Sequence, residues 1–364
     1  MKRTILPNAP IVFDDETAAS VLIRAAEANG HTNVYQLLSG TGIKINEPSL
    51  KACLIDRERY RHLVRAVGFN DETATRAFKR VDESRNSPRH YGTVTIPDRC
   101  FRRDDASTFC AQCLKDRPYW RQLWLIRPFA ACIAHKCLLV DRCRNCGRVP
   151  SIGRGELARC NHCRASLLLM HGSSIDIDSM SAVQQMLDSG DADALNSVLE
   201  FWSALERFDG LKNTPADEYT RLQAAISFSR GEVAAFEHVV TLVAKGLPLM
   251  NPRVQLLSFL SGSKSLIRFA EDVISHVSPL VRVGSGDSRL AYLSKSEVCT
   301  LLQMPPAKLA QLIRCGQIKW PSGGRRQQRI PSTEIEMYMQ GFSQTEIFYV
   351  HSAEPYGPLH RHDK

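Results

Sequence analysis

The sequence predicts a mostly α, multidomain protein: a helical N-terminal domain, a tandem metal-knuckle module, a helical scaffold and a C-terminal winged helix-turn-helix-like domain. Three observations predict it. Apolar residues recur at helical spacing through the first hundred residues and again over 180–282. Eight of the 12 cysteines crowd between Cys110 and Cys163. Beyond residue 290, capping boxes, a Pro-Pro pair and a Gly-rich turn lay out short helices and a hairpin. A chain of 364 residues, 43% apolar and 23% charged, is long enough for two to four ordinary cores and excludes disordered and fibrous classes.

The first segment, residues 1–98, reads as a basic helical domain. Residues 16–40 place Val21, Leu22 and Ala25 on one face, break at Gly30, and resume through Tyr35, Leu37 and Leu38. Residues 56–84 continue the helical pattern with Leu63, Val64, Val67, Phe69, Ala77, Phe78 and Val81. They also carry Arg57, Arg59, Arg61, Arg65, Arg76, Lys79 and Arg80. Those cations are either a solvated basic face or a helix-turn-helix-like surface for nucleic acid or a partner. The acidic run Asp14-Asp15-Glu16 fits a helix N-terminus, where negative charge is favoured, better than a Mg²⁺ site.

Residues 99–170 carry the strongest signal. Cys110-x2-Cys113 is followed 18 residues later by Cys132-x2-His135, and Cys143-x2-Cys146 is followed 13 residues later by Cys160-x2-Cys163. A C-x2-C pair on a tight turn holds two thiolates about one tetrahedral edge apart, so two such pairs close around Zn²⁺. Sequential wiring is expected, because seven residues separate His135 from Cys143, too many for a cross-braced arrangement. Cys137 competes with His135 for the fourth position of the first set; His135 repeats the two-residue spacing and is preferred. Gly147 and Asn161 are expected to take the positive φ of the turns. With all four positions filled by protein, two structural zincs are expected, not Lewis acids. Cys53, Cys100, Cys299 and Cys315 read as small buried hydrophobes.

This run resembles the TniQ/TnsD family of bacterial transposons. The residues that carry the resemblance are Cys110-x2-Cys113-Leu114, Tyr119-x-Arg121-x2-Trp124, Cys132-x2-His135-x3-Leu139 and Cys143-x2-Cys146-Gly147. It spans roughly 107–170, with weaker support from Asp15-Glu16 through Arg24 to Gly30, and departs where Ala111-Gln112 replaces the proline often found at the first knuckle. The resemblance implies a non-catalytic adaptor that selects the target site in DNA transposition. It would link target DNA or a CRISPR RNA-guided effector complex to an AAA+ ATPase regulator. Tyr119, Arg121 and Trp124 themselves read as packing against the knuckles rather than as nucleic-acid contacts.

Residues 171–285 read as a helical scaffold closed by a linker at Gly284–Ser288, and 286–364 as the winged domain and its tail. Ser294-x2-Glu297 caps one helix, and Pro305-Pro306 opens a second through Leu309, Leu312 and Ile313 that ends at Gly316. Ile318–Trp320 and Arg325–Ile330 then form a wing about the turn 321–324, and Thr333-x2-Glu336 caps a last helix. This pattern resembles excisionase and MerR-like DNA binders. On that resemblance Lys308, Gln311 and Arg314 face the major groove, while Arg325, Arg326 and Arg329 grip phosphate or minor groove.

Charge and absent motifs complete the expectation. A net charge of +9 and a pI near 9.0 favour a polyanion partner, DNA foremost. The best apolar run, Leu123–Ala134, is broken by Arg127 and Pro128, and no secretory leader is evident, so a cytoplasmic protein without membrane contact is expected. No phosphate loop, nucleophile elbow or H-E-x-x-H helix is present, so no enzymatic activity is expected. A free-standing sequence-specific DNA-binding regulator is the alternative function; a homodimer is the one further assembly left open.

Overall fold

The computed structural model describes residues 6–84, 86–102, 108–209, 211–246, 251–277, 292–320 and 329–341. The chain forms two compact units, residues 1–238 and 239–364.

The first unit starts with four helices, each opened by a polar side chain that accepts from the first turn. α1 (Ala18–Ala28) is capped by Thr17, α2 (Val34–Gly40) by Asn33, α3 (Glu47–Leu54) by Asn46 and α4 (Arg57–Val67) by Asp56. The acidic run before α1 therefore does not do the capping expected of it. Glu16 is fully buried and bonds Arg24 and Ser20, Asp15 holds Arg121, and Asp14 holds Arg76. Burial raises the Glu16 pKa against the opposing pull of Arg24.

The helical pattern expected over 56–84 stops early. After α4 comes a 3₁₀ turn over Asp71–Arg76, then a three-stranded antiparallel sheet of β1 (Lys79–Arg80), β2 (Arg89–Tyr91) and β3 (Val94–Ile96). Ala77 and Phe78 are buried, whereas Val81 is half exposed, so the apolar spacing that suggested a helix is not a face at all. Arg89, on the central strand β2, forms a buried pair with Asp98 at 2.5 Å.

The cysteine-rich segment shares its core with these helices. Leu22, Leu37, Tyr60 and Val64 belong to the same apolar cluster as Phe109, Cys110, Trp120, Trp124, Cys143 and Cys160. The boundary expected near residue 98 thus falls inside one continuous core. Trp120 and Trp124 meet edge to face at 6.2 Å, and Tyr119 donates to Asp15 at 2.7 Å, so this stretch packs as expected. Within the segment lie α5 (Ala111–Asp116) and a hairpin of β4 (Ala131–Cys132) with β5 (Cys137–Leu138).

Three further helices, α6 (Asp178–Ser189), α7 (Ala192–Phe208) and α8 (Pro215–Ser229), follow. They are tied to the segment by buried charge. Arg102 bonds the Trp124 carbonyl at 3.0 Å and pairs with the fully buried Glu218 of α8. Arg127 reaches Glu218 at 2.9 Å, pairs with Glu206 of α7, and lies over the Trp202 ring. α9 (Val233–Gly246) then leads across the boundary between the units.

In the second unit, α10 (Pro252–Gln255), α11 (Leu257–Leu260) and α12 (Lys264–Val277) precede the expected helix-turn-helix. β6 (Tyr292–Leu293) leads into α13 (Lys295–Leu301), whose Ser294/Glu297 capping box has both bonds in place. α14 (Pro306–Arg314) opens on Pro306 as expected, and Gly316 follows it at φ 72°. The expected wing is corrected in one respect. Ile318–Trp320 is not a strand; β7 (Ile330–Pro331) pairs instead with β6, ahead of α13. Burial explains this, since Leu293 and Ile330 are register partners that enter one core with Val298, Leu309, Leu312 and Ile318. The last helix, α15 (Ser332–Gly341), begins one residue before Thr333, so Thr333 lies within it rather than before it. The expected linker Gly284–Ser288 and the turn 321–324 lie outside the described residues.

Candidate metal centre and nucleic-acid interface

Both tetrads close in space. The ligand atoms of Cys110, Cys113, Cys132 and His135 lie within 4.8 Å of one another, as do those of Cys143, Cys146, Cys160 and Cys163. Zn–S bonds of ~2.3 Å in a tetrahedron put sulfurs about 3.8 Å apart. The first set gives 3.5 Å for Cys113–Cys132 and 3.5, 3.3 and 3.5 Å from His135 Nδ1 to Cys110, Cys113 and Cys132. The second gives 3.5 Å for Cys143–Cys163 and 3.8 Å for Cys146–Cys160. Seven thiols and one imidazole at these spacings fit a soft, tetrahedral divalent ion at each site, and all 12 cysteines are free of disulfides.

The local fold explains why the spacing works. In the second set the amide of the residue after each knuckle returns to the carbonyl of its first cysteine, Gly147 to Cys143 at 2.7 Å and Arg164 to Cys160 at 2.9 Å. Such a turn swings the backbone left-handed one residue past the second ligand. Gly147 has φ 70° as expected; Asn161 does not, and Arg164 at φ 62° takes the role expected of it. Lys136, directly after His135, has φ 46°. His135 therefore occupies the same place in its knuckle as Cys146 and Cys163 do in theirs. The first pair differs: Cys110 is the residue that precedes α5, and Leu114 bonds back to its carbonyl at 3.1 Å.

Neighbours prepare the ligands. Asp116, at the end of α5, stands 3.2 Å from His135 Nε2, which directs the imidazole proton to the carboxylate and leaves the Nδ1 lone pair toward the thiols. The spacing alone gave no sign of Asp116. At Cys163 the Asn145 side chain, with the Ala165 amide, favours the thiolate and draws its pKa down to about 6. Cys137 lies beside the first set, its sulfur 3.9 Å from Cys110.

On α14 the residues expected to meet nucleic acid, Lys308, Gln311 and Arg314, are all exposed, and their three-residue spacing puts them on one face. Arg329 is exposed beside β7 and donates to the Tyr292 carbonyl at 3.3 Å. Arg325 and Arg326 lie outside the described residues. The N-terminal cations are largely engaged within the fold: Arg61 with Glu58, Arg65 with Asp71, Arg76 with Asp14 and Arg80 with Asp56. Among the described residues, no helix is long and apolar enough to cross a membrane.

No curated protein matches the chain. A family model does: residues 7–139 match TniQ, from just before α1 through all four ligands of the first set. The match is longer at its start than the resemblance in the knuckles suggested, and it ends at Leu139, before the second set. Helices, first donor set and match coincide over one stretch of chain, and over that stretch, residues 7–139, the protein carries a TniQ domain.

Proposed function

We propose that this chain is a non-catalytic adaptor that selects the target site in DNA transposition. The TniQ match over residues 7–139 carries the reading, since the family implies a transposition-associated role in target selection. Each tetrad holds a structural Zn²⁺. Four protein donors leave no open position for water or substrate, and three or four thiolates favour zinc over harder ions. The adaptor joins target DNA, or an RNA-guided effector complex, to an AAA+ regulator that supplies the ATP hydrolysis. Lys308, Gln311 and Arg314 on α14, with Arg325, Arg326 and Arg329 beyond it, form its nucleic-acid contact; the exposure of Lys308, Gln311, Arg314 and Arg329 and the positive charge of five of the six residues support this.

A reconstituted insertion assay tests the proposal. With transposase and AAA+ regulator from the same element, insertions should gather at one site only when this chain is present. The chain alone should neither hydrolyse ATP nor cut DNA. The α14 contact is read separately from salt dependence: replacing Lys308 and Arg314 by Ala removes two cations and should flatten the log K against log[salt] slope by about 1.8. An unchanged slope with lost assembly would assign this face to protein docking instead. Tight binding to one duplex with no effect on insertion would favour a free-standing regulator.

A further inference from the structure

The first donor set has a fifth member. Cys132 and Cys137 are register partners across the β4–β5 hairpin, and His135 lies in the turn between them. Cys137 is half-buried, with its sulfur 3.9 Å from that of Cys110, close to the edge of about 3.8 Å that a tetrahedral zinc–thiolate site requires. It is absent from the four atoms that lie mutually within 4.8 Å, so it meets one corner of the tetrahedron, Cys110, without being a corner itself.

Two features hold it there. The strand that carries Cys137 is clamped on its far side: Leu138 donates to the Ser173 carbonyl at 2.9 Å, and Ile175 donates to the carbonyl of Lys136, just before Cys137, at 3.1 Å. Gly172 permits this approach, because a Cβ there would stand 1.8 Å from the Leu138 oxygen. His135 is held differently, by its ring contact with the exposed carboxylate of Asp116 and by a left-handed residue, Lys136, after it. Cys137 thus sits on a strand bonded on both sides, to β4 and to Ser174, whereas His135 lies in the hairpin turn.

We infer that Cys137 is a stand-by ligand of the first zinc site, which takes the fourth position when His135 Nδ1 leaves it and converts a Cys₃His site to Cys₄. The exchange breaks one Zn–N bond and forms one Zn–S bond; the Cys137 thiol proton passes to water or to the freed imidazole, with no change of oxidation state. The inference rests on the proposal that zinc fills this set.

Zinc content and zinc-edge X-ray absorption on the intact protein test it. The wild type must first show two zincs per chain with seven sulfurs and one nitrogen between them; failure here defeats the zinc reading itself, before Cys137 is at issue. His135→Ala should keep both zincs and lose the nitrogen shell at ~2.0–2.1 Å, leaving sulfur at ~2.3 Å alone. Cys137→Ser should keep both zincs and the nitrogen. The double variant should lose one zinc. The inference is overturned if His135→Ala drops to one zinc, keeps a light-atom shell supplied by water, or does not fold, since a stand-by thiol would rescue it. It is equally overturned if Cys137→Ser alone loses zinc, or if the double variant keeps two.

Discussion

The two donor sets are built from the same turn and yet sit in different company. The first draws its ligands from regular structure: Cys110 and Cys113 at the start of α5, Cys132 at the end of β4. Its neighbours Phe109, Trp120 and Trp124 belong to the core shared with α1–α4. The second set bridges a stretch, 141–166, that contains neither helix nor strand among its described residues. Its thiols are steadied by N–H donors from its own loops. A metal in the first set would join helix and strand that packing already defines, whereas one in the second would tie together loops that reach the same core only through Cys143, Ile152, Leu157 and Cys160. Only the first lies within the TniQ match.

The sharpest way to break the comparison is to remove one ligand from each set. Cys143→Ser should lose one metal and unfold 141–166, while α1–α4 and the first site persist, because this stretch has no helix or strand to hold it and structural zinc contributes on the order of 10 kcal/mol in small modules. Cys113→Ser should lose one metal too but destabilise the whole first unit, with the second site retained until that unit unfolds. Metal analysis with amide hydrogen exchange separates the two patterns; identical exchange profiles would erase the distinction.

The next largest effect concerns what packing supplies without metal. Glu218 is fully buried and pairs with both Arg102 and Arg127, the second of which Glu206 also holds. Glu218→Ala should cost about 3–5 kcal/mol in denaturant unfolding, by leaving the buried Arg102 guanidinium without its carboxylate, with metal content unchanged.

Gly155 is a smaller lever on the second set. A Cβ there would meet the Thr32 carbonyl oxygen at 2.3 Å, where the loop rests on the α1–α2 turn. Leu157 adds a bond from its amide to Glu27 at 3.1 Å. Gly155→Ala should cost about 1–3 kcal/mol and raise exchange in 151–158 ahead of the first site.

The smallest effect tests the shared turn. Lys136→Gly should stabilise by about 1 kcal/mol, because the left-handed backbone burdens a side chain with a Cβ, and Gly147→Ala should destabilise by a similar amount. Thermal unfolding of both variants at fixed zinc would show the opposite signs; like signs would break the equivalence of His135 with the cysteines.

These elements differ in how plainly the sequence announced them. The tetrads were legible because two-residue spacing is itself the geometry of the knuckle, and the Ser294/Glu297 box because cap chemistry is local. The sheet of β1–β3 was not: strands of two or three residues are too short to show alternation, and Ala77, Phe78 and Val81 mimic a helical face. The acidic run misled because its partners, Arg24, Arg76 and Arg121, are distant in sequence in two of three cases. β7 pairs with β6 across 36 residues, a long-range choice made by the core rather than by a turn. The left-handed residues Lys136, Gly147 and Arg164 could have been found by looking one position past the second ligand of those three knuckles, whatever residue stood there.

At stake is whether a metal ion closes each of the two donor sets, one seated among packed helix and strand and one among loops. Native mass spectrometry of the intact protein, purified reduced and without chelator, tests it most directly. The account predicts two zincs per chain in the wild type and one in Cys143→Ser, the remaining ion held by a first unit that is still folded. A folded wild type carrying one ion or none, or a Cys143→Ser variant that loses both, would contradict it.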